Sequence, residues 1–160
     1  MRIEQNPGYD PANVVRSEIV EIQAPASVVW EILTDLPRYG EWNPFCVKAV
    51  STLQIGAPIE MTLTNYWNSE LAVNVEYVCA ADREKMLSWQ LPYTPEWPYA
   101  ARRDQVLVAL GPSRCSYQSI NAFFGDTGVH VKRFCGDWVK TAFDATAQAL
   151  KARAEAMYRP

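Results

Sequence analysis

Side chains that hold metal ions are scarce in this sequence. Its 160 residues include one histidine, His130, and the four cysteines Cys46, Cys79, Cys115 and Cys135, which lie 33, 36 and 20 residues apart. No two of them have the Cys-x-x-Cys spacing that is typical of structural zinc sites. The sequence therefore predicts no metal site, and we interpret the cysteines as reduced thiols.

The motifs that bind nucleotides or position a serine nucleophile are also missing. The chain contains no Gly-x-Gly-x-x-Gly, no phosphate-binding loop ending in Gly-Lys-Ser/Thr and no Gly-x-Ser-x-Gly. These absences argue against a dinucleotide enzyme, a nucleotide hydrolase and an α/β-hydrolase. We expect no cofactor.

Charge and hydropathy exclude two further classes of partner. The chain has 15 Lys and Arg against 18 Asp and Glu, a net charge of −3. Nucleic-acid binding ordinarily uses clustered basic residues, so we expect no nucleic-acid partner. No apolar run approaches the roughly 18–20 residues of a membrane span, and the first residues lack the apolar stretch of an export signal. These features predict a cytoplasmic protein without stable membrane insertion.

Large aromatic side chains, by contrast, are abundant. The sequence has six Trp, eight Tyr and five Phe, and 49% of its residues are hydrophobic. So many rings must fill either a core or a pocket. The length suits one domain, which we assign to residues 1–160. Within it, residues 1–13 contain Pro7, Gly8 and Pro11 and are predicted to form a flexible N-terminal arm.

Helical signals occupy two parts of the chain. Residues 24–35 contain Pro25 at a favourable helix start, followed by apolar residues at helical spacing, and residues 39–42 suggest a second short turn. Residues 131–158 contain no proline and repeat apolar residues every three or four positions. That repeat is typical of one long amphipathic helix.

Strand-like segments fill the rest. One precedes the first helix at residues 14–23, and six more lie between residues 46 and 124. The clearest, residues 71–79, alternates apolar side chains on one face with Asn74 and Glu76 on the other. Successive strands without intervening helices predict an antiparallel sheet with the helices on one side, an α+β fold.

One segment resembles a known superfamily. Residues 24–45 read APASVVWEILTDLPRYGEWNPF, which contains Pro-x-x-x-Val-Trp and then Thr-Asp-x-x-x-Tyr-x-x-Trp-Asn-Pro-Phe. The segment is similar to the opening of the START/Bet v 1-like SRPBCC superfamily, in its polyketide cyclase/dehydrase branch. Ile55-Gly56, Leu110-Gly111-Pro112 and Phe123-Phe124-Gly125 also fit, so the resemblance covers residues 14–158.

The resemblance implies a helix-grip fold. In that fold, a curved seven-stranded antiparallel sheet wraps around a long C-terminal helix, with two short helices after the first strand and an apolar cavity inside. Members bind lipids, sterols or polyketides, and some cyclise and dehydrate aromatic polyketides. The expected partner is a hydrophobic small molecule, and the chain is expected to be a monomer or a homodimer.

Candidate catalytic residues follow from strand alternation. If Val106, Val108 and Leu110 point into the cavity, Arg102 and Asp104 share their face and form a polar anchor there. The alternative is an ordinary ion pair at a solvated strand end. His130, near the start of the long helix, is a candidate acid or base at the cavity mouth, with an exposed loop histidine as the alternative.

Candidate ligand-binding residues fall into three groups. Two aromatic loops could gate the pocket or contact another protein, with plain loop packing as the alternative. The strands and the long helix supply a second group, and the segment after the first helix supplies a third. The residues are Tyr66, Trp67, Tyr93, Trp97 and Tyr99 in the loops; Trp89, Tyr117, Ser119, Asn121, Phe123, Phe134 and Trp138 in the second group; and Trp42 and Phe45 in the third.

Three functions are compatible with these features. The first is a binder of an aromatic polyketide-like or lipid-like molecule. The second is an enzyme on the same scaffold, a polyketide cyclase/dehydratase or an isomerase, that polarises a carbonyl with Arg102 or a tyrosine. The third is a protein-interaction module that uses the aromatic loops.

Overall fold

The computed structural model describes residues 9–65, 68–91, 100–125 and 127–159. Within these ranges the strands are β1 (Val14–Arg16), β2 (Val20–Ile22), β3 (Cys46–Val50), β4 (Pro58–Thr64), β5 (Leu71–Asp82), β6 (Met86–Leu91), β7 (Ala100–Gly111) and β8 (Arg114–Phe124). The α-helices are α1 (Ala26–Thr34) and α2 (Gly128–Met157), and 3-10 helices span Pro11–Asn13 and Leu36–Glu41.

These strands form one antiparallel sheet in the order β1-β8-β7-β6-β5-β4-β3, with β2 also paired to β8. Helix α2 packs against β8, β1, β2 and α1, which leaves both helices on one side of the sheet. A long C-terminal helix held by a continuous antiparallel sheet is the predicted helix-grip architecture, and the α+β prediction is confirmed.

The described part of the sheet has eight strands rather than seven because the first strand is interrupted. Ser17 still exchanges hydrogen bonds with Ser119, but the Glu18 backbone N–H donates to Oδ1 of Asp144 on α2, at 2.7 Å. The chain therefore leaves the ladder at Glu18 and Ile19 and returns as β2. Both pieces pair with β8, so the topology is unchanged.

The start of α2 lies hard against β8. A Cβ atom added at Gly128 would stand 2.8 Å from the backbone oxygen of Phe123, which is closer than real Cβ contacts allow. Glycine at this position therefore permits the close approach. The first turn of α2 is fixed at the end of the sheet, where the candidate site opens.

The sheet has an inner face, which looks toward α2, and an outer face. On β7 the inner residues include Arg103, Gln105 and Leu107, which pair with Asn121, Ser119 and Tyr117 on β8. The intervening Arg102 and Asp104 belong to the outer face. This assignment decides which polar side chains can reach a ligand.

Candidate functional site

A cavity of about 670 Å³ lies between the inner face of the sheet and α2. Ligand sites for small molecules commonly fall in this size range. Its described walls are mostly apolar, with contributions from Phe45, Leu63, Leu91, Ala101, Phe123, Val131, Phe134, Val139 and Phe143. The polar wall residues are Asn74, Glu76, Asn121, Thr127 and His130, with Cys135 beside them.

Glu76 is the carboxylic acid of this wall. Its Oε2 accepts a hydrogen bond of 3.1 Å from Nδ2 of Asn74, two residues earlier on the same strand face. Burial raises the pKa of Glu76 to about 7, although the positive charge of Arg103 and a hydrogen bond from the Leu91 backbone lower it in part. A carboxyl group that titrates near neutral pH can act as either a proton donor or a proton acceptor.

Arg103 lies beneath the floor of the cavity and is 4% exposed. Its guanidinium carbon stands 4.2 Å from the ring centre of Phe143, 5.5 Å from that of Phe45 and 5.9 Å from that of Trp89. We call Phe45, Trp89 and Phe143 the aromatic cage. Cation–π attraction to the ring faces stabilises the charge in this desolvated position.

Two donors in this region have no hydrogen-bond partner. Nε of Arg103 donates to Oγ of Ser119 at 2.9 Å, but Nη2 is buried and unbonded. Oε1 of Gln105 accepts from the Tyr117 hydroxyl at 2.9 Å, but Nε2 is likewise buried and unbonded. Buried donors are rarely left unsatisfied. These two residues occupy successive inward positions of β7 beyond Ala101, which lines the cavity, and neither is itself among the described lining residues.

The prediction that Arg102 and Asp104 face the cavity was wrong. They lie on the outer face, where Nε of Arg102 donates to Oδ1 of Asp104 at 2.8 Å. The hydroxyls of Ser88 and Tyr9 also donate to Asp104, at 2.5 and 2.6 Å. The alternative of a solvated ion pair is wrong too, because both side chains are 4% exposed. Burial among these partners makes the pair a structural network.

The inward positions of β7 differ by one residue from the predicted ones. Val108 and Leu110, the predicted inward residues, are 51% and 41% exposed on the outer face. Leu107, which follows Arg103 and Gln105 in the inward series, is 3% exposed. Arg103, which was not predicted as a site residue, is therefore the inward arginine of β7.

The other predicted residues fall into four sets. Phe45, Asn121, Phe123, His130 and Phe134 line the cavity, and His130 and Phe134 are exposed at its mouth. Trp89, Tyr117 and Ser119 are buried beneath it near Arg103. Trp42 lies instead at a smaller surface cleft beside Arg153, and Trp138 packs on Phe45 facing another cleft. Tyr66, Trp67, Tyr93, Trp97 and Tyr99 lie outside the described residues.

Sequence reasoning missed Glu76 and Asn74 as well as Arg103. Their strand was predicted to alternate, but the apolar face is the outward one: Leu71, Val73, Val75 and Tyr77 are 40–66% exposed. Asn74 and Glu76 are the residues that face the cavity. Two polar residues at alternate positions, on one face of an otherwise apolar strand, were the sequence signal that could have identified this face as the cavity wall.

The fold and cavity agree with a family assignment. Residues 22–146 match the family described as polyketide cyclase/dehydrase and lipid transport. The chain belongs to this family. No curated protein matches the chain significantly.

Solved structures with this family's fold cover most of the chain. The aromatase/cyclase Zhui from a Streptomyces species aligns with a TM-score of 0.71 and 17% identity, over 91% of this chain and 95% of that one. A START superfamily protein from Mycobacterium smegmatis aligns with a TM-score of 0.66 and 19% identity, over 91% and 99%. Norcoclaurine synthase from Thalictrum flavum aligns with a TM-score of 0.64 and 14% identity, over 88% of this chain and 91% of that one. At these identities the likeness shows the fold.

Two other features concern only the part of the chain that the structure describes. There, no three His, Cys, Asp or Glu side chains come together as a group that could hold a metal ion. Nor does any helix in that part have the length and apolar character needed to cross a membrane.

Proposed function

We propose that the protein binds a hydrophobic small molecule, aromatic polyketide-like or lipid-like, in the cavity between the sheet and α2. The observation that carries this proposal is the combination of a cavity of about 670 Å³ with largely apolar walls and a few polar groups. Apolar walls supply affinity, and a few placed polar groups supply orientation. Membership in a family described by polyketide cyclisation and lipid transport supports the same ligand class.

We infer from the polar groups that the ligand carries an oxygen. Arg103 and Gln105 each keep one buried donor unbonded below the cavity floor. A carbonyl, enolate or phenolate oxygen at the floor would satisfy such donors, and a hydrogen bond from a charged guanidinium is stronger than one from a neutral donor. A pure hydrocarbon would leave them unsatisfied.

A cavity-blocking variant tests the proposal. Ala101 lines the cavity, whereas Val108 lies on the outer face of the same strand and is 51% exposed. We expect Ala101→Phe to abolish saturable quenching of tryptophan fluorescence by aromatic ketones, sterols and fatty acids. Val108→Phe is the matched control and should bind as the wild type does.

Two results would contradict the proposal. One is equal binding by Ala101→Phe and the wild type, which would place the ligand elsewhere. The other is the absence of binding by the wild type across the whole panel. Circular dichroism of both variants shows whether the fold is retained, so that a loss of binding can be assigned to the blocked cavity.

A further inference from the structure

Glu76 is placed in a way that its structural contacts do not explain. It lines an apolar cavity, and none of the ion pairs among the described residues includes it. Its carboxylate accepts hydrogen bonds from Asn74 and from the Leu91 backbone. A glutamine could accept the same bonds without the cost of burying an ionisable group. The carboxyl therefore offers chemistry that a neutral amide would not.

The groups near Glu76 complement a reaction that develops negative charge. The buried cation of Arg103 lies under the same cavity with an unbonded donor, and Asn121, its cross-strand neighbour, lines the wall. A fixed positive charge and oriented donors stabilise an oxyanion most strongly where water is excluded. One wall thus holds a base, and the floor holds a counter-charge for the product of deprotonation.

We propose that Glu76 is a catalytic residue that takes a proton from the carbon next to a ligand carbonyl and returns it, so that the cavity enolises hydrophobic aromatic ketones. The C–H electron pair forms the C=C bond of the enolate, and the carbonyl π electrons move to the oxygen, above the Arg103 cation. The proton resides on Glu76 and goes back to carbon, either to the same carbon or to a conjugated one. No oxidant, reductant or cofactor is needed. The inference rests on the proposed binding function, because the ketone must occupy the cavity.

Deuterium exchange of β-tetralone tests this step. Its benzylic C–H bonds lie beside a carbonyl, and loss of their NMR signal in D₂O reports enolisation. We expect the wild type to accelerate exchange and Glu76→Gln to lose at least tenfold of that acceleration, with Glu76→Asp intermediate. Glu60→Gln makes the same charge change on the outer side of β4, where the residue is exposed, and should exchange as the wild type does.

The pH profile separates catalysis from a structural role. The rate should rise as Glu76 ionises and level off above about pH 7, because the carboxylate is the base. Other titratable groups surround it: Cys46 on β3, Cys79 on β5, Arg103 on β7, and His130 and Cys135 on α2. The inflection assigned to Glu76 must therefore disappear in Glu76→Gln.

A binding titration with β-tetralone, monitored by tryptophan fluorescence, distinguishes failure of the enolisation proposal from failure of the binding proposal. Saturable binding that Ala101→Phe blocks, with no exchange or with exchange unchanged in Glu76→Gln, overturns the role of Glu76 and leaves the binding function intact. Failure to bind the ketone, while the cavity takes up other hydrophobic molecules, overturns the enolisation proposal alone. Absence of any ligand overturns both.

Discussion

The guanidinium of Arg103 stands 4.2 Å from the centre of the Phe143 ring, which joins the sheet to the long helix through a buried charge. Phe143 also lines the cavity, so the same ring that holds the cation forms part of the ligand wall. The arginine is thereby fixed below the cavity while one of its donors stays unbonded. The same contact therefore packs the helix on the sheet and positions Arg103 below the cavity.

Replacing Arg103 with methionine tests whether the unbonded Nη2 of Arg103 donates a hydrogen bond to a ligand oxygen. Methionine can fill the aromatic cage with apolar and sulfur–aromatic contacts, so we expect the protein to remain folded. Affinity for β-tetralone should fall about tenfold or more, because a hydrogen bond from a charged group contributes roughly 1.5–3 kcal/mol. Affinity for naphthalene, which has no oxygen, should be unchanged. Fluorescence titration measures both, and an equal loss for the two ligands would contradict the assignment.

The partly buried carboxyl of Glu76 should affect stability in a pH-dependent way. Its pKa is about 7 in the folded chain, against a reference value of 4.5, so the folded state disfavours ionisation. The cost grows as pH rises from 4.5 to 7 and is fully present above pH 7. Glu76→Gln should therefore raise the free energy of unfolding by about 2 kcal/mol at pH 8, after allowance for partial exposure.

Denaturant unfolding at several pH values tests the direction of this change in the free energy of unfolding. The gain of Glu76→Gln over the wild type should shrink as the pH is lowered toward 4.5. Glu60→Gln, in which the exposed acid of the neighbouring strand is neutralised, should show no such trend. A Glu76→Gln variant that is less stable than the wild type at pH 8 would show that the ionised carboxylate stabilises the fold.

The outer-face network should affect stability and not ligand binding. Asp104 accepts hydrogen bonds from Arg102, Ser88 and Tyr9, and Asp104→Ala leaves the buried Arg102 cation without its partner. Breaking a buried ion pair on one side typically costs about 3–5 kcal/mol. Affinity for β-tetralone should be preserved at temperatures where the variant is folded. A selective loss of affinity in a stably folded variant would connect this network to the cavity.

The architecture could be predicted from the sequence because it depends on strong periodic signals. The apolar repeat of the last helix and the succession of strands before it specify an antiparallel sheet with helices on one side. The extent of α2, Gly128–Met157, differs from the predicted 131–158 only at its ends. The split of the first strand was not predictable, since it depends on the distant Asp144 carboxylate.

The site could be predicted less well, for a physical reason. Alternation divides a strand into two faces but does not say which one looks toward the helix. In β7 the residues 102–105 are all polar, so hydrophobicity does not show which of them point inward. In β5 the residues that face the cavity are the polar ones, Asn74 and Glu76. Only packing against α2 decides both cases.

Native mass spectrometry of the freshly purified protein, with a denatured extract in parallel, tests the central claim most directly. The account predicts that the wild type carries a hydrophobic, oxygen-containing molecule that is released on denaturation, and that Ala101→Phe carries none. A wild-type protein that is empty, and that stays empty after incubation with aromatic ketones, sterols and fatty acids, would contradict it.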